Sequence, residues 1–319
     1  MRKVLVIRFS ALGDVAMLVP IVRAAAEQNP ETEFTVISRQ QTEALWSGLP
    51  ANVVFFGVDI KGRHNGIKGL RKLLNEVDYR AFDAVADMHS VLRSWYMDIM
   101  CILAGLKVRR IDKGRIEKWW LTCRFNHHKR RLKRTVFRYR DVFVSLGMKV
   151  DIDEPRFGNS GGGVGIAPFA AQKGKIFPID EMEKLAAEIA KNEKVYLFGG
   201  GKKEIEVLER WEAKHCNMTC VAGRHTMAEE LEIMRSLRVM ITMDSGNMHL
   251  ASLVGTRVIS IWGATHPYAG FLGWGQAEED CWQRNDLRCR PCSIYGNKEC
   301  RYGDYRCLNF SIRHDCNQL

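Results

Sequence analysis

The pattern that most restricts this chain is an alternation of short β-branched runs with helix-period stretches, played through once and then restarted. Residues 3–9 (KVLVIRF) read as a buried parallel strand. Residues 15–28 follow as a helix with Val15, Leu18, Val19 and Val22 on one face. Strands are expected at 34–38, 53–58 and 82–88, with helices at 42–49, 67–77 and 91–104 between and after them. A glycine run in FGNSGGGVG, around residues 157–165, then reads as a linker. Beyond it come strands at 164–167, 194–198, 239–242 and 257–262, and helices at 179–190, 204–214, 228–236 and 246–253. Strands separated by helices in this order imply parallel sheets joined by right-handed crossovers. Two such halves predict two Rossmann-like α/β domains, 1–157 and 161–319.

Composition narrows the class further. With 319 residues, 46% hydrophobic and 27% charged, the chain can bury two cores, which excludes a disordered or collagen-like protein. The apolar start is interrupted by Arg8 and Asp14, against a signal peptide, and no stretch is long enough to span a membrane. A cytoplasmic location is expected. The net charge of +11 is concentrated: residues 107–140 hold fourteen Lys or Arg and two acids, and the remainder sums to −1. Trp119, Trp120, Phe125, Phe137 and Tyr139 are interleaved with those cations. A solvated face, a single-stranded nucleic-acid site and a membrane-surface patch compete for this segment.

Four strand-to-helix junctions could carry chemistry. In Ser10-Ala11-Leu12-Gly13-Asp14, Gly13 permits a tight turn, and Asp14 falls in the first helical turn, beside the positive end of the helix dipole. The plain reading is a carboxylate satisfying helix-start N–H groups. In Asp244-Ser245-Gly246-Asn247-Met248-His249, the backbone N–H groups at Ser245 and Gly246 open a helix and offer an anion site that His249 could face. In PFAAQKGKIFP, Lys173 and Lys175 sit on a loop after a strand, where a cation can neutralise a diphosphate. In FGGGKKE, glycines allow close ligand approach, and Glu204 could accept hydrogen bonds from hydroxyls. Each of the last two is also readable as an ordinary loop.

Together, and in this order, these pieces resemble the lipopolysaccharide heptosyltransferases, glycosyltransferase family 9. The residues that carry the likeness are IRFSALGDVAMLVP, DMHSVLRS, APFAAQKGKIFP and the block running from GRHTMAEE through MDSGNMHLA to IWGATHP. The resemblance implies a GT-B fold, with two Rossmann-like domains whose parallel sheets face across a cleft. It implies inverting transfer of a heptose, or a related sugar, from a nucleotide donor such as ADP-heptose to a lipid-linked oligosaccharide acceptor of the lipopolysaccharide core. Asp14 falls on the family's general base. Lys175, Glu204, Asp244, Ser245, Gly246 and His249 fall on its donor site. Ser10, Gly13, Asp87 and Arg93 fall on the acceptor side. Ala170 and Ala171 stand where some members carry hydroxyls, and Phe177 replaces a usual Trp.

No cofactor is required by this reading. Its anionic, lipid-linked acceptor favours peripheral contact of 107–140 with an anionic membrane surface, at the cytoplasmic face of the inner membrane, and no nucleic-acid partner is expected. A nucleotide-sugar-processing relative such as an epimerase, and a nucleic-acid-binding protein centred on 107–140, are the alternatives. Six cysteines crowd the end of the chain: Cys281, Cys289, Cys292, Cys300, Cys307 and Cys316. Cys289, Cys292, Cys300 and Cys307 could form a structural zinc site, stay free, or form disulfides.

Overall fold

The computed structural model describes residues 1–126, 129–155, 157 and 161–312. It divides into two compact units, Met1–Lys113 with Thr135–Asp153, and Gly114–Arg134 with Glu154–Leu319. The stretch Gly114–Arg134 thus belongs with the second unit although it lies in the first half of the sequence.

The first unit is built on five parallel strands, β1 (Arg2–Ile7), β2 (Thr32–Arg39), β3 (Val53–Val58), β4 (Ala84–Asp87) and β5 (Lys107–Arg110), in the spatial order β3-β2-β1-β4-β5. Helices α1 (Leu12–Gln28), α2 (Gly66–Glu76) and α3 (Leu92–Leu103) connect them, and α5 (Thr135–Ser145) packs against α1. Val4 to Ile7 are wholly buried, as a central parallel strand covered on both faces requires. Leu5, Ile7, Phe9, Leu73, Val85 and Met97 share one core. The strand β5 accounts for part of the basic segment: Lys107, Arg109 and Arg110 are exposed on the edge of the sheet, where charge discourages further strand pairing. The expected helix at 42–49 is instead a 3-10 turn over Gln40–Trp46.

In the second unit, β6 (Val164–Ala167), β7 (Val195–Leu197), β8 (Met218–Cys220), β9 (Val239–Met243), β10 (Arg257–Trp262) and β11 (Cys281–Gln283) form a second parallel sheet, ordered β11-β10-β9-β6-β7-β8. Its helices are α4 (Arg115–Leu121), α6 (Ile179–Ala190), α7 (Lys202–Lys214), α8 (Met227–Ser236) and α9 (Gly246–Leu253). The end of the chain joins this core: Cys307, Leu308 and Ile312 are buried in it, and Phe310 meets Phe177 edge to face at 5.1 Å. Phe177 therefore fills an apolar slot. The glycine run is more than a spacer. Gly163 takes φ +80°, and a Cβ there would lie 2.8 Å from the Lys194 carbonyl.

Both sheets reverse their strand order once. In the first, the chain leaves β1 toward β2 and β3 and returns to β4 on the other side. In the second, it leaves β6 toward β7 and β8 and returns to β9. Open α/β sheets bind ligands outside the carboxyl ends of the strands at such switch points.

Candidate active site

At the β1/β4 switch of the first unit, Arg8 follows β1 and is almost fully buried. Its Nη1 donates to the Met88 carbonyl at 2.6 Å, and its Nη2 forms an ion pair with Asp14 Oδ2. The Tyr139 hydroxyl donates to the Asp14 carbonyl at 3.3 Å, and the Arg8 guanidinium lies 5.8 Å from the centre of the Tyr139 ring. Asp14 Oδ2 also receives the Ala11 N–H at 3.4 Å, so the contacts of this carboxylate fall on one oxygen. Its side chain keeps 26% exposure, which leaves it reachable from solvent. Gly13 is buried in the same turn of α1.

Beyond β4, His89 packs edge to face on Phe9, and its Nε2 is 3.5 Å from Ser10 Oγ. Burial, together with Arg8 and Lys113, drives its pKa down to about 3 against the pull of Asp14. At neutral pH it is an uncharged imidazole, and its buried Nδ1 has no hydrogen-bond partner among the described residues. Asp87 is fully buried. One oxygen accepts the N–H groups of His89 and Ser90 at 2.8 Å each, and the other accepts Ser94 Oγ at 2.8 Å. It shapes the turn that carries His89. Arg93 is half-buried and close enough to His89 to lower its pKa.

The β6/β9 switch gathers the second group. Lys175 Nζ lies 2.9 Å from Asp244 Oδ2, with side chains 15% and 6% exposed. Thr265 Oγ1 donates to the same oxygen at 2.8 Å. Lys175 is seated by glycines: a Cβ on Gly296 would come within 2.7 Å of its Cγ, and one on Gly263 within 2.5 Å of the Gly174 carbonyl. Ser245 precedes α9 without capping it through its side chain, its Oγ being 3.2 Å from Thr242 Oγ1. The first N–H groups of α9 are thus left uncapped by Ser245 beside the Lys175–Asp244 pair. Gly246 opens α9, and His249 is buried in its first turn. Glu204 sits in the first turn of α7, where Oε2 accepts the Gly200 N–H at 2.8 Å and closes its own glycine loop. Among the described residues no hydrogen bond ties Glu204 to Lys175 or Asp244.

Sequence reasoning missed Arg8, His89, Thr265 and Arg290. Arg8 left a signal, a cation interrupting the apolar run at the start of the sequence. Arg290 left none: it is buried and donates to the carbonyls of Gly263 at 2.5 Å, Trp262 at 3.1 Å and Thr265 at 2.9 Å. It ties the cysteine-rich end to the turn that carries Thr265. The nine described cysteines are free, and Cys316 lies outside the described residues. Cys289, Cys292 and Cys300 are close enough to Cys307 to act on its pKa, which burial pushes up to about 11. Among the described residues no group of three His, Cys, Asp or Glu is arranged to hold a metal ion.

Residues 156–303 match the family model for glycosyltransferase family 9 (heptosyltransferase). The second unit is thus similar to glycosyltransferase family 9. The chain is 24% identical over 289 residues to the lipopolysaccharide core heptosyltransferase OpsX of Haemophilus influenzae, covering 83% of this chain and 80% of that one. A family 9 glycosyltransferase structure from Veillonella parvula shares its fold at a TM-score of 0.71, with 17% identity over 96% of this chain and 92% of the other. The E. coli heptosyltransferase WaaC with ADP-2-deoxy-2-fluoro heptose superposes at 0.65, with 18% identity over 92% and 97%. The GT-B architecture and the glycosyltransferase assignment expected from the sequence agree with these comparisons.

Asp98 provides a test of the first-unit site. It is wholly buried on α3 and paired with Arg110, yet burial and the neighbouring Asp87 outweigh that pairing and push it up from 3.8 to about 7. Between those values the native protein holds a proton that the unfolded chain has lost. Its contribution to stability is therefore complete below pH 3.8 and lost as pH rises through about 7. Asp98→Asn, which cannot ionise, is expected to show a smaller loss of melting temperature across that range than the wild type. Equal losses in a pH series of thermal melts would contradict the assignment.

Proposed function

We propose that this chain is a family 9 glycosyltransferase that moves a heptose from ADP-heptose to the core of a lipopolysaccharide acceptor, with inversion at the anomeric carbon. The observation that carries the reading is the Lys175–Asp244 contact beside the start of α9, at the switch point of the second sheet. A lysine and a helix N-terminus are suited to a departing diphosphate without a metal. The family match and the named relatives support heptose as the sugar, and the ADP-sugar analogue described with WaaC supports ADP as the carrier.

In this reading Ser245, Gly246 and His249 complete the donor site, and Glu204 takes the ribose hydroxyls. Asp14 is the general base. Arg8 and the Ala11 N–H hold Oδ2, leaving Oδ1 to take the proton of the attacking hydroxyl late in the transition state. Ser10, Gly13 and Arg93 contribute to the acceptor side, and Asp87 acts through the turn that presents His89. Zinc has no step in this reaction. Placed at Cys289, Cys292, Cys300 and Cys307 it would be structural, and the thiols as arranged do not form its ligand set.

The lipid-linked acceptor gives the basic segment its part. Ile116, Trp119, Trp120 and Phe125 are exposed on and just after α4, while Lys118, Leu121 and Leu132 are buried in the second unit. Aromatic groups among cations suit an anionic membrane surface. Among the described residues no helix is long and apolar enough to cross a membrane.

Asp14→Asn is expected to lower the rate of transfer from ADP-heptose by roughly 10²- to 10⁴-fold while the affinity for ADP stays unchanged. Turnover near the wild-type rate would rule out the base. In vesicle co-sedimentation, the Trp119→Glu, Trp120→Glu double variant is expected to lose binding to anionic vesicles. Wild-type retention by that variant would remove the membrane role.

A further inference from the structure

A cavity of about 670 Å³ opens in the second unit beside the turn that carries Thr265. Its wall carries Lys129, Arg284, Arg288 and Arg290 against one carboxylate, Asp286. That carboxylate is already matched, since Arg284 Nε donates to it at 3.0 Å and Nη2 makes a second contact. Arg290 is committed to backbone carbonyls and serves as a fixed wall.

Three donors are differently placed. Arg288 is exposed and has no hydrogen bond or ion pair among the described residues. Lys129 Nζ is pinned by the carbonyls of Leu121 at 2.6 Å and Cys123 at 2.9 Å, which leaves one of its three protons. His266 accepts the Tyr268 N–H at Nδ1, at 3.1 Å, so in the neutral ring the proton sits on Nε2. Burial and the nearby Arg290 lower its pKa to about 4, so at neutral pH it is an uncharged donor. A guanidinium, an ammonium and a ring N–H, with a net positive wall and its carboxylate engaged, complement a small tetrahedral oxyanion.

We propose that this cavity is a binding site for a phosphate group, separate from the Lys175–Asp244 pair. The two are one residue apart along the chain. Thr265 donates to Asp244, and its neighbour His266 lines the cavity. Arg290 holds the Thr265 carbonyl and forms part of the same wall. Phosphate could reach the site as the free ion or as a sugar phosphate. Neither requires glycosyl transfer, so this site and the transfer reaction are tested separately.

The test is isothermal titration calorimetry on the full chain with inorganic phosphate, a hexose 6-phosphate and ADP. The expected result is binding of phosphate or its ester that Arg288→Glu weakens by about tenfold or more while the ADP affinity holds. Arg288→Gln should give a smaller loss in the same direction. Lys175→Met should weaken ADP and leave the phosphate titrations unchanged. Tighter binding of the ester assigns the site to a sugar phosphate, and equal or tighter binding of the ion assigns it to free phosphate. The proposal is overturned if neither ligand binds, if Arg288→Glu leaves their binding intact, or if Lys175→Met abolishes it. Absence of ADP binding alone would count against the donor reading and leave the phosphate titrations to decide this one.

Discussion

Lys175 and Asp244 come from stretches of sequence 69 residues apart and meet at 2.9 Å, nearly shut off from water. Withdrawing two charges from water is costly, and breaking such a pair by deleting one partner typically costs about 3–5 kcal/mol. Much of the second unit can be understood as the support for this contact. The parallel sheet brings the ends of β6 and β9 side by side. Thr265, in the turn after the neighbouring β10, steadies the carboxylate, and Arg290 steadies that turn. Gly263 and Gly296 make room where any side chain would collide. In the proposed donor site, an arriving anion would meet a lysine already in position and an adjacent helix start, so little would have to reorganise as charge develops on a leaving group.

The first unit uses a similar device with the charges reversed in role. Arg8 is the buried member and Asp14 the accessible one. An arginine sealed between a backbone carbonyl, an aromatic ring and a carboxylate restricts that carboxylate to a single orientation. The neutral His89 next to it adds a polar group without adding charge. Both arrangements lie where the strand order reverses, the place where open α/β sheets bind ligands.

Much of this was legible in the sequence because it follows from local pattern. β-branched runs between helical stretches mark parallel strands, and the residue just after such a strand lies at the ligand-binding edge. That is why Asp14, Lys175 and Asp244 could be singled out. What could not be read depends on contacts between distant segments. Arg290 acts through carbonyls, which carry no side-chain signature. Residues 114–134 join the second unit because Leu121 and Leu132 bury against Tyr268 and Phe271, more than 130 positions later. The strands β8 and β11 are three residues each, too short for alternation to register. The charge of the basic segment was plain, but not its division among an edge strand, a buried Lys118 stacked 4.3 Å from the Phe271 ring, and an exposed aromatic face.

In the proposed donor site a lysine and a helix start hold the donor diphosphate without help from a metal. Titrating ADP into the wild type and Lys175→Met, each with and without a chelator, tests it most directly. Chelator-independent binding that weakens by about tenfold or more in the variant is expected. Binding that disappears with the chelator, or that is unchanged in Lys175→Met, would contradict it.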